Sequence, residues 1–252
     1  MGEQMVFKRA EVKYMLTKEQ QGIIKEAMQE HMIPDIHGRN VTCSLYFDTP
    51  DFLLIRRSME HPMYKEKLRL RSYGVAEPDT TVFVELKKKY DSIVYKRRIA
   101  MTEEESERFL LHHEQVKDTQ ISREIAYCME RYPGLAPAVM LSYQREAFYA
   151  KDDHEFRMTF DDTILWRDHH LSLKDGIFGE PILPDDRVLL EVKTGGAIPM
   201  WLVKVLSENH IYKTSFSKYG TAYRTIFQRM EHKASPQHAL QPAAHTPVIA
   251  LV

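Results

Sequence analysis

The stretch that decides the fold is Lys67-Leu68-Arg69-Leu70-Arg71. In a strand, successive side chains point to opposite faces, so the three bases share one face and the two leucines the other. The arrangement recurs in Val84-Glu85-Leu86-Lys87, Phe156-Arg157-Met158-Thr159-Phe160-Asp161 and Leu190-Glu191-Val192-Lys193. Arg9, Glu11 and Lys13 share one parity, as do Lys96 with Arg98 and Tyr143 with Arg145. An antiparallel sheet with one solvated face also alternates in this way. Such faces, however, usually mix Thr, Ser, Gln, Lys and Glu, whereas Arg and Lys dominate here. Like charges set opposite one another across strands are destabilising, so stacked cations require a compensating anion. The reading is that these faces line a common cavity whose ligand supplies the negative charge.

Period-two alternation marks eight segments: 5–14, 41–48, 64–72, 81–89, 93–100, 138–149, 154–161 and 187–194. Between them lie helix-like stretches. Thr17 with Gln20 forms a capping box ahead of Ile23, Ile24 and Met28, and Thr102 with Glu105 does so ahead of Phe109 and Leu110. Segment 119–132 spaces Ile121, Ile125 and Cys128 for a helix. Pro199 suits the first residue of a helix over 199–210, and Ser217 suits the N-cap of one over 217–230. The class is α+β, as an open sheet or a closed antiparallel barrel, and converging charges favour the barrel. No repeat or Gly/Ser linker divides the chain. Residues 1–231 read as one domain, and 232–252, with Ser235, Pro236, Pro242 and Pro247, as a disordered tail.

Lys plus Arg number 35 and Asp plus Glu 36 in 252 residues, for a net charge of −1. That balance argues against a nucleic-acid-coating surface, though not against a basic patch offset by acids elsewhere. Cys43 and Cys128 lack CxxC spacing and read as buried free thiols. No basic n-region with an apolar run opens the chain, and no segment reaches the ~20 apolar residues of a membrane span. The expected location is cytoplasmic. HExxH, Walker A and GxSxG motifs are absent from the sequence.

The chemistry suited to such a cavity is oligophosphate binding. Arg forks match phosphate oxygens in pairs, and Lys adds a mobile point charge. Glu11, Glu85, Asp161 and Glu191 supply oxygen ligands for Mg²⁺ or Mn²⁺ bridging to phosphate. For Glu85 and Asp161 the competing reading, an ion-pair partner for a neighbouring Arg, is preferred. Glu191 is the best metal candidate.

Arg9-Ala10-Glu11-Val12-Lys13-Tyr14, Ser44-Leu45-Tyr46-Phe47-Asp48-Thr49-Pro50, Lys67-Leu68-Arg69-Leu70-Arg71, Glu85-Leu86-Lys87, Lys96-Arg97-Arg98, Tyr143-Gln144-Arg145-Glu146-Ala147, Leu190-Glu191-Val192-Lys193 and Ser217-Lys218-Tyr219 occur in this order. Over roughly residues 5–228 the series resembles the VTC domain, the polyphosphate polymerase domain of the vacuolar transporter chaperone, within the triphosphate tunnel (CYTH-like) metalloenzymes. The resemblance implies an eight-stranded antiparallel tunnel with helices outside, ATP and polyphosphate or triphosphate as ligands, and Mn²⁺ or Mg²⁺ as cofactor. It places Arg69, Arg71, Lys87, Lys96, Arg145 and Arg157 at catalytic positions. Lys13, Lys67, Arg98, Tyr143, Lys193, Ser217 and Lys218 take phosphate-binding positions, and Glu191 with Glu11 the metal. Arg9 stands where the related triphosphatases carry the first glutamate of ExExK, which favours the polymerase-like branch. A triphosphatase acting on tripolyphosphate or nucleotides and a non-catalytic polyphosphate-binding module are the alternatives. A membrane-protein partner is compatible with the resemblance; a nucleic-acid partner is not expected.

Overall fold

Alternation becomes strand wherever both faces find a use. The computed structural model describes residues 10–60, 62–91 and 93–234. Its strands are β1 (Ala10–Thr17), β2 (Met32–Asp48), β3 (Tyr64–Tyr73), β4 (Thr81–Tyr90), β5 (Ile93–Thr102), β6 (Ala136–Ala150), β7 (Arg157–Arg167), β8 (Glu180–Pro181), β9 (Arg187–Thr194) and β10 (Lys213–Thr214). Helices are α1 (Lys18–Met28), α2 (Leu53–Met59), α3 (Glu103–Leu111), α4 (Gln120–Arg131), α5 (Met200–Glu208) and α6 (Lys218–Ala234). All strands join one antiparallel sheet in the order β10-β1-β9-β7-β6-β2-β3-β4-β5, with β8 on β7.

The α+β class holds, but the closed eight-stranded barrel does not. The sheet has ten strands and its ends are not hydrogen-bonded to each other. The reason lies at β1. One of its edges pairs with β9, and the middle of the other is taken by β10, through Lys13 opposite Thr214 and Tyr14 opposite Lys213, and not by β5. The sheet nevertheless curls. In a flat sheet β1 and β4 would lie about 29 Å apart at ~4.8 Å per strand, beyond the reach of screened charges. Yet Glu11 on β1 feels Lys87 on β4, and Lys67 on β3 feels Lys13 on β1. The result is a deep trough with an open seam.

The apolar parity faces outward under helices. Leu68, Leu70, Val82, Val84 and Leu86 pack with Phe109 and Leu110 of α3 and Ile125 and Cys128 of α4. Leu16, Met158, Phe160, Leu190 and Val192 pack with Ile24 and Met28 of α1 and Leu202 and Leu206 of α5. Both expected capping boxes form, at Thr17 and at Thr102. Pro199 is the N-cap of α5 and not its first residue.

Helix α6 departs from the expectation that helices pack only on the outside. Tyr219, Ala222, Tyr223 and Ile226 bury against Val139 and Leu141 of β6 and Tyr46 of β2, residues of the charged parity. So α6 plugs one end of the trough. Asp48 fixes the plug. Its carboxylate accepts hydrogen bonds from the backbone N–H groups of Leu54 and Ile55 at the start of α2 and from the Tyr219 hydroxyl at 2.8 Å.

Candidate phosphate site

Two buried carboxylate centres organise the cations. The first is Glu85, in the middle of β4, opposite Arg69 on β3 and Arg98 on β5. Arg69 reaches it at 2.6 Å and Lys96 at 2.8 Å, with Arg98 and Arg71 at 3.6 and 3.8 Å. Burial alone would raise the Glu85 pKa, but Arg69, Arg71 and Lys96 outweigh it and hold the group ionised, well below the usual carboxylate range. Arg69 also donates to the Tyr46 hydroxyl at 3.0 Å, and Arg71 donates to Ser44 and to the Tyr143 hydroxyl. Burial raises the Tyr46 pKa; Arg69, Lys67 and Arg71 more than reverse this, and the phenol falls to about 8.

The second centre joins Asp161 of β7 to Glu191 of β9. Arg145 grips Asp161 with two bonds of 2.6 Å and reaches Glu191 at 3.2 Å. Lys218, the first residue of α6, lies 2.6 Å from Asp161 and 3.2 Å from Glu191. Lys13, opposite Glu191 in register, pairs with it at 3.1 Å and with Glu11 at 3.5 Å. Glu85 and Asp161 thus have the ion-pair roles preferred for them. Burial opposes ionisation of Glu191, but Lys218, Lys13 and Arg145 hold its pKa far below normal.

Three lysines have no such partner. Among the described residues, Lys67, Lys87 and Lys193 make no hydrogen bond or ion pair, although Lys87 on β4 is felt by Glu11 on β1 and Lys193 on β9. Burial pulls the Lys67 pKa down to about 8, helped by Lys65, Lys87 and Lys13, with Tyr46 opposing. Burial lowers Lys193 too, against Glu191 and Glu11. Across the trough, Lys13, Lys67, Arg69, Arg71, Lys87, Lys96, Arg98, Arg145, Lys193 and Lys218 face only Glu11, Glu85, Asp161 and Glu191. The surplus is cationic.

The remaining candidates sit elsewhere. Arg157 lies at the rim, exposed, 2.9 Å from Asp35 and away from both centres. Ser217 accepts from the Gly220 backbone N–H and caps α6, so its side chain serves the helix that presents Lys218. Tyr143 is buried, its ring 4.6 Å from the Lys218 amine and 5.1 Å from the Arg145 guanidinium. Arg9 and residues 235–252 lie outside the described residues. Asp48 and Tyr46 lie within the Ser44–Pro50 motif, where nothing in the sequence assigns either a role. Only the parity Tyr46 shares with Ser44 could have placed it in the trough.

No group of three or more His, Cys, Asp or Glu side chains arranged for a metal occurs among the described residues. A magnesium-type ion needs only one or two carboxylates when phosphate oxygens complete its shell. Glu191 and Glu11, both paired with Lys13 and close enough for Glu191 to oppose ionisation of Glu11, meet that need. Thr159, opposite Glu191 in register, carries a buried hydroxyl oxygen with no partner, which adds a further oxygen donor there. The donor set fits Mg²⁺ or Mn²⁺.

A separate hollow of about 300 Å³ is lined by Asp48, Phe52, Asp168, Ile226 and Met230 among others. Its lining includes two acids and no Lys or Arg, which disqualifies it as an anion site.

The sequence profile of the VTC domain matches residues 8–227, nearly the whole described chain. The chain belongs to the VTC domain family. A candidate adenylate cyclase from Bacillus halodurans is 13% identical, with a TM-score of 0.53, covering 84% of this chain and 94% of its own. One from Vibrio parahaemolyticus is 15% identical over 87% and 99% of the two chains, with a TM-score of 0.45. The former likeness is one of fold. No curated protein matches the chain significantly. None of the described helices is long and apolar enough to cross a membrane.

Proposed function

We propose that this VTC domain is a metal-dependent, polyphosphate polymerase-like enzyme that moves the γ-phosphate of ATP onto a polyphosphate chain in the trough. The observation that carries the reading is the set of lysines without protein partners: Lys67 and Lys87, directly opposite each other on β3 and β4, and Lys193 on distant β9, within reach of the Lys87 field. Holding like charges opposite one another without an anion is costly, and a linear polyanion removes that cost.

Phosphoryl transfer asks the protein mainly to position groups and to stabilise charge on the transferring phosphate. Arg69, Arg71, Lys87 and Lys96 hold the β- and γ-phosphates. Glu85 keeps the first two guanidinium forks aligned before substrate arrives. Arg145 and Lys218 orient the acceptor chain, and Arg157 receives it at the rim. Glu191 and Glu11 would hold Mn²⁺ or Mg²⁺, which would supply neutralisation of phosphate charge. The attacking group is an ionised phosphate oxygen, so chain extension needs no general base.

Hydrolysis would need one, and the Tyr46 phenol, with its pKa near 8 beside Arg69, is the group that favours a triphosphatase as the second reading. Incubation with ATP and Mn²⁺, resolving polyphosphate, ADP and orthophosphate, tests the two. Long-chain polyphosphate with ADP supports polymerisation; orthophosphate without chain growth supports hydrolysis. Tight tripolyphosphate binding without turnover would make the domain a binding module.

A further inference from the structure

The charged parity of β3 and β4 does not end in charge. Continuing along β3 from Lys67, Arg69 and Arg71, the next residue on that face is Tyr73, which is 52% exposed. On β4 the residue before Glu85 on the same face is Phe83, directly opposite Arg71. The two rings meet edge to face at 6.0 Å. Arg98 lies flat enough to bring its guanidinium carbon within 3.5 Å of the Phe83 ring centroid, and it also reaches the Tyr73 hydroxyl. Opposite Tyr73 in register stands Thr42, fully buried, its hydroxyl oxygen without a partner.

Elsewhere in the molecule, exposed tyrosines such as Tyr127 and Tyr212 have no such surroundings and need no explanation. Tyr73 differs because an exposed aromatic adjoins a stacked guanidinium at the edge of a phosphate grip. Residues two apart on one strand are separated by roughly 7 Å, which leaves room between Arg71 and Tyr73 for a sugar. Flat π-systems and guanidinium planes are the surfaces on which bases stack.

We propose that Tyr73, Phe83 and Arg98 form the platform for the base of a nucleoside triphosphate whose phosphates lie on Arg71 and Arg69. This rests on the phosphate-site reading above. It assigns a polarity to the trough: the base lies at the Tyr73 end and the phosphate chain runs toward Lys67, Lys87 and Lys96. It also gives Arg98 a stacking role in place of a purely phosphate-binding one. Because stacking responds to ring area and not to base-edge groups, the platform favours purines over pyrimidines without selecting between adenine and guanine.

The test compares equilibrium binding of ATP and of inorganic tripolyphosphate, which has no base, to the wild-type domain, Tyr73→Ala and Tyr73→Phe, in chelator-treated buffer. Tyr73→Ala should weaken ATP about five- to tenfold and change tripolyphosphate less than twofold, with Tyr73→Phe within twofold of wild type for both. Tripolyphosphate binding by the wild type with ATP affinity indifferent to Tyr73→Ala would overturn the platform and leave the phosphate site standing. Equal weakening of both ligands would also overturn it. A wild type that binds neither ligand would remove the phosphate reading itself.

Discussion

Lys218 and Asp161 are 57 residues apart in sequence, and the lysine amine lies 2.6 Å from the carboxylate. Asp161 is fully buried and takes its other bonds from Arg145, so one carboxylate ties the N-terminus of α6 to β6 and β7. Burial disfavours the Lys218 charge, but Asp161 and Glu191 outweigh it and hold its pKa above the ordinary value.

Asp161→Asn removes one of the two carboxylates that Arg145 and Lys218 share and leaves both cations under-compensated. Loss of one partner from a buried pair costs about 3–5 kcal/mol. Urea unfolding of the variant should show a loss of about 3 kcal/mol, and added tripolyphosphate should restore part of it by mass action. A variant as stable as wild type would mean that the pair is solvated.

Glu191→Gln should abolish turnover in the ATP and Mn²⁺ assay while tripolyphosphate still binds, since the change removes a metal ligand and not a cation. Undiminished activity would contradict the metal assignment.

Arg69→Ala should weaken tripolyphosphate about 10- to 100-fold, the size expected for a charge-assisted fork, and reduce turnover in parallel. Isothermal titration measures the first. Unchanged affinity would mean that this face of β3 does not meet the ligand.

Lys67 and Tyr46 give the pH dependence a definite sign. Both titrate near 8 in the folded protein, below their ordinary values of 10.5 and 10.0. Between pH 8 and 10 the unfolded chain therefore holds more protons, and the ligand-free protein should gain stability as pH rises. Groups facing the pair are Lys65, Lys87, Lys13, Arg69 and Arg71. Phosphate affinity should move the other way, falling above pH 8 as Lys67 loses its charge. Lys67→Gln should flatten that fall; an identical profile in the variant would assign it to another group.

Much of this arrangement is legible in the sequence because a strand's period is two. Leu68, Leu70, Val84 and Leu86 had to face one way, and Arg69, Arg71, Glu85 and Lys87 the other. What escaped reading depends on contacts distant in the chain. The first half of β2 contains Pro34 and Gly38, which look like turn residues, yet it pairs with β6 across an irregular register. β7 continues past Asp161 only because an extra residue is inserted near Thr163, at φ 49°, and the parity of Ile164 and Trp166 shifts with it. Barrel closure failed as an expectation: the ends of the sheet do not pair, and Lys213 and Thr214 take the middle of the outer edge of β1. The role of Asp48 was invisible because its partners, α2 and Tyr219, are themselves weak signals.

Asp48→Ala therefore offers a test of the scaffold apart from the phosphates. It strips acceptors from the backbone N–H groups of Thr49, Leu54 and Ile55 and from the Tyr219 hydroxyl. At about 1–3 kcal/mol per buried unsatisfied group, a loss of at least about 3 kcal/mol is expected by thermal or urea unfolding. A much smaller loss would mean that α2 and α6 are held by packing alone.

The most direct test of the cationic trough is a crystal structure of the domain with tripolyphosphate. The phosphates should lie inside the curl of the sheet, within hydrogen-bond distance of Arg69 and Arg71 and of at least two among Lys67, Lys87 and Lys193. Tripolyphosphate bound on the outer face, or those three amines turned into solvent with the ligand elsewhere, would contradict the account.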